Sequence, residues 1–409
     1  MITYYPKLKD IEKAALKIKN IMKTTPLQFH ESLSNKYNSS IYLKREDLTI
    51  VRSYKIRGAY NKMSSLTDFT GIVSCSAGNH AQGVSFCCNT LSIPGHIFMP
   101  KITTKQKIDK VKKFGGKYVT VYLEGDSFDD SYDISNKFCK ENNLQFIHPF
   151  DDEKVIEGQA TVGLEILQQI DKPIDYLFLP IGGGGLSSGV SSYFKFLSPL
   201  TKLIGVQPMG SPSMYKSFLN NKITKLDKIN SFVDGAAVGK SGELNFPICK
   251  KNLDDILLIE EGQVCSKILE MYNDSGLIIE PAGVLSLCAL DQMKEKIKNK
   301  NVVSIISGGN SDVFRMPEIL DRSLVWEGRK HYFKIEFQQR AGALREFILN
   351  VLGKNDDIVF FKYTKLINQE MGPVIIGIET KSKDDIQIVI EKMKACKLNY
   401  EKVSNVAEL

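Results

Sequence analysis

The chain has 409 residues, 43% hydrophobic and 25% charged, a globular composition on a length that exceeds one compact core, so two or three domains are expected. Its formal charge of +7 is dispersed as lysines among nearly as many acids, without the basic block that marks a nucleic-acid arm. No apolar run reaches membrane-spanning length and the charged N-terminus lacks a signal-peptide core, which points to a soluble, cytoplasmic protein. The eight cysteines contain no C-x-x-C pair and lie mostly in apolar periodic segments, so they read as reduced core thiols and not as a zinc site or disulfide framework.

The first stretch that raises a chemical question is Arg52 to Tyr60, RSYKIRGAY. A lysine on an amphipathic helix ordinarily runs its stem along apolar surface and keeps its charge in water. Held instead among apolar neighbours and near Arg57, the Lys55 ammonium is destabilised and its free amine becomes available for Schiff-base chemistry. The window alone supports either outcome.

From about residue 70 to 325, short β-branched runs alternate with helical patterns, the signature of an α/β region with a mostly parallel sheet. GIVSCSA precedes HAQGVSFCCNTL, DYLFLPI precedes LSSGVSSYFKFL, and NVVSIIS ends in GGN. Ligands bind at the carboxyl ends of strands in such sheets, so the small-residue stops are where chemistry is expected.

Ser74 to Gly83, SCSAGNHAQG, opens a helix at one such stop. Ser76, Asn79 and the first free amides are suited to a carboxylate or phenolic oxygen, and the alternative is a simple N-cap. His80, in the first helical turn, has its imidazolium disfavoured by the helix dipole and reads as structural. Pro180 to Gly189, PIGGGGLSSG, follows a buried strand. Its run Gly182, Gly183, Gly184, Gly185 lets backbone N–H groups converge on an anion at a helix N-terminus, where a ligand-free turn would need fewer glycines. No Gly-Lys-Ser/Thr follows, and the next strand, KLIGVQP, ends in Gln207 without the acid that holds a ribose, so the ligand is expected to be a small phosphate ester. IIEPAG presents Glu280 either as a solvated cap or as a site residue, and IISGGN presents Ser307 before two glycines that admit a flat ligand. Asp234, in VDGAAVG, and Glu280 are the candidate ligands for a cation; no other metal site is suggested.

Beyond Arg315 a charged stretch with Pro317 and Trp326 reads as a connector. HYFKIEF, GALREFILNVL, DIVFFKYT, PVIIGIET, KDDIQIVIEKMKA and NYEKV then give β-α-β-β-α-β, a small ferredoxin-like module. Its first helix places Ala343, Leu344, Phe347, Ile348, Val351 and Leu352 on the apolar face.

Taken in order, SYKIRGAY, SAGNHAQG, GGGGL and SGGN resemble the signature set of the pyridoxal-phosphate-dependent threonine and serine dehydratases of the tryptophan-synthase-β-like fold. The similarity begins near Lys44–Leu48, and the module from His331 onward resembles the ACT-like regulatory domain of short biosynthetic threonine dehydratases. The resemblance implies a two-domain fold type II catalytic region over 1–320, parallel-sheet cores flanked by helices, with a small subdomain at about 48–150. A connector at 321–330 and an ACT-like α+β domain at 331–409 would follow. It further implies pyridoxal 5'-phosphate (PLP) as cofactor, its aldehyde on Lys55, its phosphate on Gly182 to Gly185 and Leu186, its ring hydroxyl at Asn79 and its pyridine nitrogen at Ser307. Tyr54 stands where the family usually has Phe. Ser76, Ala77, Gly78, Asn79 and His80 would surround the substrate carboxylate.

The implied reaction converts L-threonine to 2-oxobutanoate and ammonia, the first step of isoleucine biosynthesis, in a tetramer inhibited by isoleucine and opposed by valine. L-serine is the alternative substrate. Related serine racemases carry a serine at the place of Ala77, which has no proton to give, and this favours dehydration. Ala160 in GQAT replaces a usual Gly. A serine-preferring dehydratase or racemase, a non-catalytic amino-acid sensor and, more remotely, a nicotinamide dehydrogenase are the rival readings.

Overall fold

The computed structural model describes residues 4–364 and 370–403. They divide into two compact units, Met1–Asp312 and Val313–Leu409. In the first, the short β-branched runs become strands because alternate residues bury against helices on each face. These strands are β1 (Leu27–Phe29), β2 (Ser40–Arg45), β3 (Ile72–Cys75), β4 (Gly95–Met99), β5 (Val119–Leu123), β6 (Gln145–Phe146), β7 (Tyr176–Pro180), β8 (Lys202–Pro208), β9 (Asp255–Ile259) and β10 (Asn301–Ile306).

Six of them form one sheet in the order β1-β2-β10-β7-β8-β9, parallel except where β1 runs antiparallel to β2. The order β5-β4-β3-β6 forms a second, wholly parallel sheet. Leu177 and Leu179 of β7, Leu203 of β8 and Val303 and Ile305 of β10 bury against Val162, Ile166, Val190 and Phe194 from two helices, Glu153–Gln169 and Gly185–Leu197. Each fully buried aliphatic side chain of this kind contributes roughly 1.5–3 kcal/mol.

The helix Lys55–Met63 is held by its buried polar face as well as its apolar one. Arg57 is fully buried, and its guanidinium donates to both oxygens of Glu46 at 2.8 Å and to both oxygens of Glu165 at 2.7 and 2.8 Å. Lys44 Nζ joins at Glu165 (2.6 Å), the Thr25 carbonyl (2.7 Å) and Gln169 (2.8 Å). Arg57 therefore points away from Lys55 into its own anions, and the expectation that it presses on the Lys55 ammonium is corrected.

The same helix crosses Glu153–Gln169 at a glycine contact. A Cβ on Gly158 would lie 2.6 Å from the Gly58 Cα and 2.7 Å from the Arg57 carbonyl oxygen. Ala160, the departure noted in GQAT, is accommodated because it faces Gly189 on the neighbouring helix.

In the second unit, β11 (Lys330–Gln338), β12 (Asp357–Tyr363), β13 (Met371–Glu379) and β14 (Tyr400–Val403) pair antiparallel in the order β12-β13-β11-β14. Helices Ala343–Val351 and Asp385–Ala395 supply Phe347, Val351, Ile386, Val389 and Met393 to its core. Ile348, expected on the apolar face, is 42% exposed. The stretch read as a connector carries the end of a helix, Met316–Trp326, before β11 begins. Ile319 and Ser323 bury from this helix, and Tyr332 of β11 donates to Asp321 at 2.7 Å.

Gly158→Ala is expected to lower stability by about 1–3 kcal/mol, because the added methyl meets backbone that cannot turn aside. Urea unfolding of the variant beside the parent chain measures it, and an unchanged midpoint and slope would contradict the crossing as described.

Candidate active site

Lys55 opens its helix with Tyr54 as the N-cap residue, so the side chain emerges beside the positive end of a helix dipole. Its Nζ donates to the Pro149 carbonyl at 2.8 Å. Burial pulls its pKa down to about 8, with the Glu280 charge acting partly in the opposite direction. The amine thus gives up its proton more readily than an exposed lysine does. The turn that receives it is organised by His148, whose Nδ1 accepts the N–H groups of Phe150 (3.2 Å) and Asp151 (2.7 Å). Burial lowers His148 to about 4, which keeps that nitrogen an acceptor.

A circuit of contacts starts and ends at this lysine. Tyr54 N–H donates to the Ser307 carbonyl at 3.2 Å, and Ser53 bridges Gly308. Gly308 abuts the Glu280 carboxylate, which accepts from Asn79. Gly235 lies against Glu280 and Ala282, and Ala236 against Gly182. Gly183 meets the Phe150 ring, next to Pro149 and hence to Lys55. Three of these loops, those with Asn79, Gly182 to Gly185 and Ser307, leave the carboxyl ends of β3, β7 and β10.

Gly184 has φ +101°, a conformation glycine adopts without penalty, and it turns the chain into helix Gly185–Leu197. Among the described residues no protein acceptor takes the N–H of Gly182, Gly183, Gly184, Gly185 or Leu186. Such a donor set at a helix N-terminus fits a phosphate. The Ser307 hydroxyl is buried and reaches the Ala282 carbonyl at 3.3 Å, a long bond that leaves it able to serve a ring nitrogen.

Asn79 begins helix Asn79–Leu91. Its Nδ2 donates to Glu280 Oε1 at 2.6 Å, and its Oδ1 accepts from Asn310 Nδ2 at 2.8 Å. Asn310 N–H donates to Glu280 Oε2 at 3.1 Å. Glu280 is 5% exposed, so the solvated-cap reading is corrected: it precedes helix Pro281–Gln292 but its carboxylate turns inward. Asp234 lies at the surface in an ion pair with Lys107 at 2.7 Å. Among the described residues no group of three or more His, Cys, Asp or Glu side chains is arranged to hold a metal.

In the neighbouring loop, the Ser76 hydroxyl accepts from Gly78 N–H at 3.2 Å, while Gly78 caps the helix without a side chain. The N–H groups of Ala77, Asn79 and His80 have no protein acceptor among the described residues, and they can hold a carboxylate. The His80 side chain does not join them. It is buried, its Nε2 lies 2.9 Å from the Ile147 carbonyl, and burial drives it down to about 3. Its main-chain N–H is unclaimed, and its Nδ1 is buried without a protein partner. The Tyr54 ring centroid lies 5.4 Å from Lys55 Nζ, and burial holds its phenol well above the usual range. His148, Pro149, Phe150 and Asn310 were not anticipated; only Asn310 belonged to a motif already singled out.

The residues present therefore fit PLP: a depressed amine for the aldehyde, unclaimed amides for the phosphate, an amide side chain for the ring hydroxyl and a neutral hydroxyl for the pyridine nitrogen. Comparison with known proteins agrees. Residues 18–308 match the family of pyridoxal-phosphate dependent enzymes, and residues 321–408 match the C-terminal regulatory domain of threonine dehydratase. The biosynthetic L-threonine dehydratase IlvA of Halalkalibacterium halodurans is 50% identical over 400 residues, 97% of this chain and 96% of that protein. The processed form of threonine deaminase isoform 2 from Solanum lycopersicum superposes with a TM-score of 0.73 at 35% identity, covering 78% of this chain and 95% of its own. Maize serine racemase gives 0.72 at 28% identity, covering 79% and 99%.

The chain belongs to the pyridoxal-phosphate-dependent enzymes of fold type II. Within them it belongs to the biosynthetic L-threonine dehydratases, with their C-terminal regulatory domain.

The Lys55 amine should react with an acylating reagent at half its maximal rate near pH 8, since burial favours the neutral form there. Peptide-level labelling across pH measures this, and a midpoint in the ordinary lysine range, above about 10, would contradict it.

Proposed function

We propose that this enzyme dehydrates and deaminates L-threonine to 2-oxobutanoate and ammonia, with PLP held on Lys55. The observation that carries the reading is geometric: Lys55 Nζ on the Pro149 carbonyl shares one circuit of contacts with the unclaimed amides of Gly182 to Leu186, the Asn79 amide and the Ser307 hydroxyl. Bound there, PLP supplies the electron sink that makes removal of a proton from the substrate's Cα accessible.

The chain's own groups do the rest. Neutral Lys55 Nζ takes the Cα proton as general base. The N–H groups of Ala77, Asn79 and His80, with the Ser76 hydroxyl, hold the substrate carboxylate and so orient the Cα–H bond. Gly182 to Gly185 and Leu186 would hold the phosphate through their amides and Asn79 the ring hydroxyl, with Tyr54 as an aromatic neighbour of Lys55. Ser307 would meet the pyridine nitrogen with a neutral hydroxyl and not a carboxylic acid, which would give a weaker electron sink and favour loss of the β-hydroxyl over return of the proton. Ala77 offers no proton to the opposite side of Cα, which sets this chain apart from a racemase. A methyl group is worth about 1–3 kcal/mol of discrimination, so serine is expected as a poorer substrate.

The C-terminal unit has no phosphate loop and no metal cluster among its described residues. It serves as the sensor of an amino-acid end product, with isoleucine as inhibitor and valine opposing it, in a tetramer. The chain's setting is read as cytoplasmic; no helix among the described residues is long and apolar enough to cross a membrane.

Purified enzyme with PLP should form 2-oxobutanoate from threonine, and Lys55→Ala should lower kcat by at least roughly 100-fold. Isoleucine should slow the reaction and valine restore it. Absence of 2-oxo acid from both threonine and serine in the PLP-supplied enzyme would overturn the reading.

A further inference from the structure

Asn79 carries two amide hydrogens and one carbonyl oxygen, and a side-chain amide of this kind binds a phenolic oxygen only if it faces the right way. Its orientation is set by a closed ring of three residues. Glu280 Oε1 takes one Asn79 hydrogen at 2.6 Å, Glu280 Oε2 takes the Asn310 main-chain N–H at 3.1 Å, and Asn310 Nδ2 returns to Asn79 Oδ1 at 2.8 Å. Asn310 is itself anchored, since its Nδ2 also donates to the Val51 carbonyl at 2.8 Å and its Oδ1 accepts from Lys110 at 3.2 Å.

Glu280 is 5% exposed and makes no ion pair among the described residues. A buried carboxylate without a cation is costly to keep, and its two oxygens are spent on these two N–H groups. The ionisable groups around it are Lys55 and Tyr54 from the start of helix Lys55–Met63, Asp234 from the loop over the cleft, and Lys107 and Lys110 from helix Lys105–Gly115.

We propose that Glu280 is a positioning residue that locks the Asn79 amide with its oxygen toward Asn310, leaving its second N–H for the cofactor's ring oxygen, and that it does so only as the carboxylate. This rests on the reading of Asn79 as the ring-hydroxyl ligand. The Asn310 donor is main chain and cannot turn, so a proton arriving on Glu280 settles on the oxygen that faces Asn79. The protonated oxygen is the weaker acceptor, and the arrangement that pairs its O–H is the one in which the amide turns over so that the Asn79 oxygen accepts it. Turning it breaks the bond from Asn310 and aims the Asn79 oxygen where the N–H had been. Burial, reinforced by Asp234, raises Glu280 to about 7, which puts this change in the neutral range.

The test uses the full chain titrated with PLP, with the Schiff-base absorption band followed across the neutral range in wild type, Glu280→Gln, Asn79→Ala and the double variant. Glutamine keeps the shape but offers one acceptor oxygen where two are needed. Wild-type affinity should fall as pH drops through about 7. Glu280→Gln should bind PLP about tenfold more weakly above that range, the size of one lost hydrogen bond to a charged group, and should lose the Glu280 step. The separate titration of Lys55 should persist in Glu280→Gln at lower pH, because the charge that favours its ammonium is gone. The double variant should bind no more weakly than Asn79→Ala.

If Glu280→Gln leaves affinity and pH dependence unchanged, or weakens binding equally in the Asn79→Ala background, the positioning role is overturned while the cofactor reading stands. A wild-type chain that forms no Schiff-base band overturns both.

Discussion

The fixed point of the catalytic unit is the buried Arg57 guanidinium. Glu46 follows β2, Glu165 and Thr161 lie on helix Glu153–Gln169, Thr25 precedes β1, and all four reach the one side chain. Taking such charges out of water is expensive, and the arrangement holds only because every donor is satisfied; removing one partner of a buried pair typically destabilises by about 3–5 kcal/mol. Geometry is the return on that expense. The helix cannot rotate or slide without uncovering a charge, and Lys55 stands two residues upstream, so its exit direction is set by an interaction it does not share.

Lys55 and Lys267 show what the protein does with a buried ammonium. Lys267 lies in contact with Glu270 at 2.7 Å and Asp291 at 3.2 Å, and these charges drive its pKa upward against burial. Lys55 has one carbonyl within reach and only a more distant Glu280 charge, so burial prevails and the amine is lowered to about 8. The paired carboxylates beside Lys267 have no counterpart beside Lys55. Arg57, two residues away and already paired with carboxylates, takes no part in this, and burial is what makes the Lys55 proton easier to lose than that of an exposed lysine.

Much of the layout was legible in the sequence because local pattern and tertiary burial agree there. KLIGVQP becomes β8 over the same residues, and the ferredoxin-like order of the last unit follows from alternation and glycine stops. The site was legible through its loops, since glycine runs at strand ends have few uses other than close approach to a ligand. Where reading failed, the missing information was three-dimensional. Arg57 looked like a neighbour of Lys55 in sequence, yet two helical positions are about 200° apart. Glu280 has the look of an exposed cap, and nothing local says that Gly235 and Gly308 will cover it. Ile348 keeps the helical period but lies at 42% exposure. His148 and Pro149 carry no motif that marks a turn made to receive a lysine.

The central claim is that the fold delivers one lysine, with a lowered pKa, to PLP. The direct measurement is to reduce the PLP-loaded enzyme with borohydride, digest it and map the pyridoxyl group by mass spectrometry. The account predicts the group on Lys55 in the peptide containing SYKIRGAY, with no comparable label on Lys44 or Lys267. A label on another lysine, or none on an enzyme that still makes 2-oxobutanoate, would contradict it.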